Sequence, residues 1–304
     1  MTSKTYTFAD LKVWKKEGPC LAVIGNPITH SISPILHNSA LKTLAKTFPR
    51  FKEWNYFAFH ILPHELNEAL GLFLKAGFWG LNVTLPYKRD VCSKSIVKLD
   101  PIATVMGSAN TLVANGTYWN GTNTDGIGLD LALRESFDIS FKNQNVVVIG
   151  IGGVGHSTVT QALLSRAKSV GIYHHNPEAT IEFLKKMHPV ANDQDVKLYA
   201  ASLFNIPKDC LVINATSVGM SPSDKMPLDL RIIQKPAHVY DVIYASKKQS
   251  TELVRVATEM KIPAANGSSM LVHQAARALA IWTRQNIPID SMRKALEEAL
   301  KDRS

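Results

Sequence analysis

Residues Gly150-Ile151-Gly152-Gly153-Val154-Gly155 carry glycines at the spacing Gly-x-Gly-x-x-Gly. They follow the apolar run 145–149 directly and open a stretch with helical periodicity. In that setting the spacing cradles the pyrophosphate of a dinucleotide. Gly150 permits the tight turn, Gly152 and its neighbour Gly153 keep the backbone bare beside the phosphates, and Gly155 lets helix and strand pack closely. The helix N-terminus adds free N–H groups and a partial positive charge. The next apolar strand ends in Tyr173-His174-His175-Asn176. An acid at that point holds the ribose of NAD, whereas an arginine accepts the extra phosphate of NADP. This chain has neither. Imidazole titrates near ~6.5, so His174 and His175 can carry partial charge beside a phosphate. The pair favours NADP, and Glu178 close behind keeps NAD open.

A second group of residues suits a small anionic, hydroxylated ligand. Ser31 and Ser33 stand just before a helix whose first turn Pro34 marks. Their hydroxyls beside helix N–H groups suit a carboxylate; Ser33 serves equally well as a plain N-cap. Lys88 lies just past a strand end and Asp125 at a loop-to-helix junction, where α/β proteins place ligand-contacting groups. A lysine can protonate an oxygen as hydride arrives at its carbon, and a carboxylate can orient it and tune its pKa. Read alone, a lysine and an aspartate so far apart in sequence describe a solvated surface pair. Thr84, Asn110 and Gln274 add hydroxyl and amide groups. Met270 reads on its own as flexible packing at a helix start.

The elements that must position these residues alternate strand with helix. Strands are expected at 21–24, 54–60, 80–84 and 109–114, and helices at 34–48, 63–76 and 101–106. Pro63 suits a first helical position, and Gly77 a stop. A second series has strands at 145–149, 169–173, 211–214 and 238–242, with helices at 155–165 and 179–187. A helix at 129–137 links the two series. The chain closes on helices alone, 269–285 and 289–301, which implies a return to cover the first domain. The expected fold class is α/β in two domains, each with a mostly parallel sheet. Residues 1–124 plus 267–304 would form a substrate-binding domain, and 125–266 a Rossmann-like domain that binds NADP.

Composition is consistent with this and excludes other classes. The chain has 304 residues, enough for about two domains. It is 45% hydrophobic and 19% charged, an ordinary globular balance. No apolar run approaches the ~20 residues of a membrane span. The N-terminal segment lacks the apolar core of a signal peptide, so a cytoplasmic location is expected. Cys20, Cys92 and Cys210 are too few and too scattered for a disulfide framework or a metal site, and no metal is expected. The net charge of +9 is spread out, without the basic tract of a nucleic-acid binder.

Seven segments, in order, carry a closer resemblance. They are Gly25-Asn26-Pro27-Ile28-Thr29-His30-Ser31-Ile32-Ser33-Pro34 with His37-Asn38, Asn82-Val83-Thr84-Leu85-Pro86-Tyr87-Lys88, and Gly107-Ser108-Ala109-Asn110-Thr111. Then follow Asn123-Thr124-Asp125-Gly126, Asn214-Ala215-Thr216-Ser217-Val218-Gly219-Met220, Val239-Tyr240-Asp241-Val242-Ile243-Tyr244, and Gly267-Ser268-Ser269-Met270-Leu271-Val272-His273-Gln274-Ala275. This set resembles the signatures of the shikimate dehydrogenase family across nearly the whole chain. The resemblance implies NADP-dependent reduction of 3-dehydroshikimate to shikimate, in a cleft between the domains of a monomer or homodimer. It makes Lys88 the general acid/base and Asp125 its partner. It gives the substrate carboxylate to Ser31, Ser33 and Tyr244, and the hydroxyls and the catalytic pair to Thr84, Asn110 and Gln274. Asn214, Thr216, Val242, Gly267 and Met270 would lie near the nicotinamide. The chain departs from the family at His156, where many members have arginine, at His174-His175-Asn176, where Asn-Arg-Thr is frequent, and after Tyr244, where Ala245-Ser246-Lys247-Lys248-Gln249 lacks a common proline. An NAD-accepting quinate/shikimate dehydrogenase is the nearest alternative, and a non-catalytic ligand sensor a more distant one.

Overall fold

The computed structural model describes residues 4–221, 224–244 and 250–301. The segment 245–249 lies outside the described residues. The chain divides into two units, Met1–Thr124 with Gln274–Arg303, and Asp125–His273. The second crossing falls inside a helix.

Unit one opens with β1 (Thr5–Thr7), α1 (Phe8–Lys12), β2 (Cys20–Gly25), α2 (Ser33–Thr47), β3 (Asn55–His60), α3 (Leu66–Lys75) and β4 (Phe78–Val83). It continues through β5 (Val97–Leu99), α4 (Pro101–Met106), β6 (Thr111–Asn115) and β7 (Tyr118–Thr122). The seven strands form one sheet in the order β1-β3-β2-β4-β6-β7-β5. Strand β2 is buried along its full length, as a central parallel strand covered on both faces must be. The sheet is mostly parallel, as expected, with β6 alone reversed between β4 and β7. Pro63 opens a short 3-10 turn, and α3 proper starts only at Leu66. Helix α4 obeys its local signals: Asp100 caps the N–H of Ala103, Pro101 sits in the first turn, and Gly107 ends it with φ 57°.

Unit two runs α5 (Asp125–Phe137), β8 (Asn145–Ile149), α6 (Gly153–Leu164), β9 (Ser169–Tyr173), α7 (Pro177–Asp193) and β10 (Lys197–Ala200). Then come β11 (Leu211–Asn214), β12 (His238–Asp241), α8 (Glu252–Glu259) and β13 (Ala264–Ala265). Helix α9 (Ser268–Thr283) contains the crossing back to unit one, and α10 (Ile289–Lys301) follows. The six strands order as β10-β9-β8-β11-β12-β13, all parallel. This is the doubly wound dinucleotide-binding topology, with its reversal between β8 and β11. Two helices exceed their expected ranges. Helix α5 begins at Asp125 rather than 129, and α7 passes Pro189 to reach Asp193 because Phe183, Met187 and Ala191 continue one buried stripe.

In unit one the terminal helix lies on α2, where the Ser39 hydroxyl donates to the Ser291 carbonyl at 3.0 Å. Among the described residues no helix is long and apolar enough to cross a membrane.

Candidate active site

In unit one the predicted residues gather at one edge of the sheet. Strands β2 and β4 are parallel and end in register at Ile24 and Val83, while β6 begins opposite Asn82 and β7 ends opposite Thr111. The loops carrying Ser31, Thr84, Asn110 and Thr124 therefore leave the sheet on the same side. Ser33 is the first residue of α2; the cap position is Ile32, and no side chain caps the helix. The plain N-cap reading of Ser33 is therefore not what the helix uses. The Ser31 hydroxyl instead accepts the Ser33 N–H at 3.3 Å.

Thr84 is pinned to the end of β2. Its N–H donates to the Ile24 carbonyl at 3.0 Å, and a Cβ on Gly25 would stand 2.6 Å from its Cγ2. Only glycine admits this approach. Lys88 lies half-buried in the turn that follows, with its carbonyl accepting the Ala109 N–H at 2.8 Å. Its backbone is thereby tied to the segment that carries Asn110.

Asn110 is 2% exposed and sits in a closed polar web. Its Nδ2 donates to the Thr124 hydroxyl at 3.0 Å, and its Oδ1 accepts the Thr124 N–H at 2.9 Å and the Thr111 hydroxyl at 2.9 Å. Asn82 extends the web, donating to the Asn110 carbonyl at 3.1 Å and accepting the Tyr56 hydroxyl at 2.7 Å. Buried groups satisfied in this way hold one geometry. Thr124, directly before Asp125, was not singled out from the sequence; its partners become visible only when β6 and β7 pair. Asp125 is itself buried and opens α5 of unit two. Gln274 is half-buried in α9, and Tyr244 is half-buried just past β12.

In unit two the second set collects at the carboxyl ends of the parallel strands. Gly150 follows β8 with φ +92°, and a Cβ there would meet Thr216 Cγ2 at 2.4 Å. This contact lies at the reversal point between β8 and β11, where such sheets bind dinucleotides. A Cβ on Gly155 would stand 2.3 Å from the Gly150 carbonyl oxygen. A Cβ on Gly152 would meet nothing within 4 Å, so the backbone at the N-terminus of α6 is bare. Gly153 opens that helix. The cradle fits a pyrophosphate.

Asn214 is buried and organises the neighbouring turn. It accepts the Thr216 hydroxyl at 2.7 Å and donates to Asp241 at 3.0 Å. Asp241 is fully buried and also accepts from the Thr251 hydroxyl at 2.7 Å and the Ile243 N–H at 3.1 Å. Burial pushes its carboxyl above the ordinary range, while these donors act in the opposite sense. Val242 donates its N–H to the Asn214 carbonyl at 3.0 Å, and Gly267 packs so close that a Cβ would stand 2.0 Å from the Val242 carbonyl oxygen. Met270 is 6% exposed and belongs to the core of unit two, with its N–H donated to the Tyr240 hydroxyl at 3.2 Å.

The histidines separate by environment. His156 is 4% exposed and packs edge-on against Phe183 at 4.5 Å, so it belongs to the core. His174 is half-buried and His175 exposed just past β9, with ring centroids 4.3 Å apart. Burial, then the neighbouring His175, hold His174 below the ordinary imidazole range. Asn176 caps α7 through the Ala179 N–H at 3.0 Å.

The glycine contacts give a direct expectation. Gly155→Ala forces a methyl against backbone, which costs about 1–3 kcal/mol, and should lower the melting temperature and abolish NADP binding. Gly152→Ala has open space and should melt normally, yet bind NADP more weakly. Thermal melting and NADP titration of both variants check this.

Fold and residues together define a two-domain α/β protein with a dinucleotide-binding second unit. Residues 23–112 match the shikimate dehydrogenase substrate binding domain, and residues 267–297 the shikimate 5'-dehydrogenase C-terminal domain. The shikimate dehydrogenase (NADP(+)) of Synechocystis is 33% identical over 282 residues, covering 91% of this chain and 94% of that protein. A crystal structure of a shikimate dehydrogenase in complex with NADP+ superposes with TM-score 0.83 at 26% identity, covering 99% of both chains. The shikimate 5-dehydrogenase of Listeria monocytogenes, in complex with shikimate and NAD, gives TM-score 0.80 at 27% identity over 92% of this chain and 96% of that one. The chain belongs to the shikimate dehydrogenase family.

Proposed function

We propose that the protein catalyses the NADP-dependent, reversible reduction of 3-dehydroshikimate to shikimate, a step of chorismate and aromatic amino-acid biosynthesis. It is an oxidoreductase acting on a CH–OH group. The observation that carries the reading is the polar web of unit one, which fixes the chain at Lys88 and at Thr124 on the same sheet edge. Residues up to about 124, with those from about 267, serve as the substrate-binding domain. Residues 125–266 serve as the NADP-binding domain.

NADPH, when bound, supplies the hydride. Ser31, Ser33 and Tyr244 hold the substrate carboxylate through hydroxyl donors. Thr84, Asn110 and Gln274 take the ring hydroxyls. Asn110 has a further role, since its clamp on Thr124 sets the chain from which Asp125 follows. Lys88 delivers its Nζ proton to the carbonyl oxygen of 3-dehydroshikimate as that oxygen gains charge, and recovers a proton in the reverse direction. Asp125 orients the ammonium. Gly150, Gly152, Gly153 and Gly155 receive the pyrophosphate, while Asn214, Thr216, Val242, Gly267 and Met270 shape the nicotinamide end.

The 2'-phosphate falls to His174 and His175 in place of arginine. Phosphate favours the protonated imidazole, whereas burial opposes it in the free protein. NADP affinity should therefore rise as pH falls, because bound phosphate favours the protonation of His174 that burial opposes in the free protein. His174→Gln with His175→Gln should remove that dependence and leave NAD affinity unchanged. Titrations of both nucleotides between pH 5.5 and 8 provide the check. A flat NADP profile in the unmodified protein would remove the histidines from the phosphate site. The function as a whole is tested by turnover with shikimate and NADP.

A further inference from the structure

Unit one holds a recess at the opposite ends of the strands from Ser31, Thr84 and Asn110. It opens among the start of β4, the end of β6, the residues before β2 and β3, and the last turn of α9, and encloses about 810 Å³. That volume falls in the ~300–1,000 Å³ range of small-molecule sites. Its aromatic lining is Phe51, Trp54, Phe78, Trp79 and Trp282. Trp282 is the fixed part: its indole N–H donates to the Leu112 carbonyl at 3.0 Å, and a Cβ on Gly80 would stand 2.1 Å from Nε1. Trp79 is 52% exposed and meets Trp54 edge-on at 5.2 Å. A half-exposed tryptophan beside a concave apolar wall is the kind of exposed apolar surface that marks binding.

The charge of the recess is one-sided. Arg50 and Arg284 line it and no acidic residue does. Neither arginine is in an ion pair among the described residues. The Arg50 guanidinium lies 4.9 Å from the Phe51 ring centroid, which leaves its N–H fork available at the rim. The recess lacks the clustered hydroxyl and amide groups that suit a polyhydroxylated ring. Flat apolar walls with guanidinium groups at the mouth suit a planar ring bearing one carboxylate. We propose that this recess binds a small aromatic carboxylate, its ring against Trp54 and Trp79 and its carboxylate drawn by Arg50 and Arg284.

The test is calorimetric titration of the full chain with 3-phenylpropionate, in saturating shikimate without nucleotide so that the substrate site is filled and no turnover occurs. Saturable binding is expected, with 3-phenylpropanol at least about tenfold weaker. Trp79→Ala, and Arg50→Gln combined with Arg284→Gln, should each weaken 3-phenylpropionate by about tenfold or more. These side chains are exposed, so melting temperature and shikimate turnover should stay unchanged. Absence of saturable binding, displacement by shikimate, or equal binding in both variants would overturn the proposal. So would a dimer in sedimentation that Trp79→Ala dissolves without any 3-phenylpropionate binding, which would assign the face to a second copy of the chain.

Discussion

Lys88→Ala should lose about 10²–10⁴-fold in kcat while binding shikimate almost as before. The backbone at position 88 is held by the Ala109 N–H, so truncation leaves the loop in place and removes only the ammonium. Affinity for substrate rests on separate groups, chiefly Ser31, Ser33, Thr84 and Gln274. A loss that falls equally on kcat and kcat/KM is the mark of an interaction made in the transition state alone. Lys88→Arg sharpens the test. A guanidinium keeps the charge but does not release a proton near neutral pH. If Lys88 transfers a proton, arginine should be nearly as inactive as alanine. If it supplies charge only, arginine should restore much of the rate. Steady-state kinetics, with shikimate titrations followed by intrinsic fluorescence, separate these outcomes.

Acid should destabilise the fold through His37. Its ring lies flat on Tyr56 at 4.0 Å, fully buried, and neither ring nitrogen has a hydrogen-bond partner among the described residues. Burial pushes its pKa down to about 3 from the ordinary 6.5. The folded value is therefore depressed. The stability from neutral His37 is fully present above pH 6.5 and is lost as pH falls towards 3, because the unfolded chain takes up a proton that the folded chain refuses. At ~1.36 kcal/mol per pH unit, the loss over that window is about 5 kcal/mol. His37→Phe keeps a ring on Tyr56 and has nothing to protonate, so its stability should fall much less between pH 7 and pH 4. Urea unfolding at the two pH values measures the difference. Equal losses in both proteins would mean that His37 is not the group responsible.

What the sequence disclosed follows from where its signals are local. The glycine loop could be read because a bare turn, a buried strand and a helix start are contiguous from Asn145 to Leu164. The strand-end positions of Thr84 and Lys88 could be read for the same reason. Strand β7 could not, since Tyr118–Thr122 mixes polar residues with a glycine. Gly121 makes sense only in three dimensions, where a Cβ would press on Leu99 at 3.0 Å and Val97 at 3.1 Å. Strand β10 is short and escapes notice likewise, whereas helix α8 carries local signals, a Thr251 cap and buried Leu253, Val256 and Ala257 at helical spacing, that went unread. The supporting shell of the site was the least visible part. The link from Asn110 to Thr124, and the buried set of Asn214, Asp241 and Thr251, join residues that meet only once the sheets form.

The most direct test of the central claim is absorbance at the reduced-nicotinamide band, with purified protein, shikimate and either NADP or NAD. The account predicts rapid reduction of NADP, much slower reduction of NAD, and reduction slowed about 10²–10⁴-fold in Lys88→Ala. Reduction of NAD in preference to NADP, or the absence of turnover with either nucleotide, would contradict it.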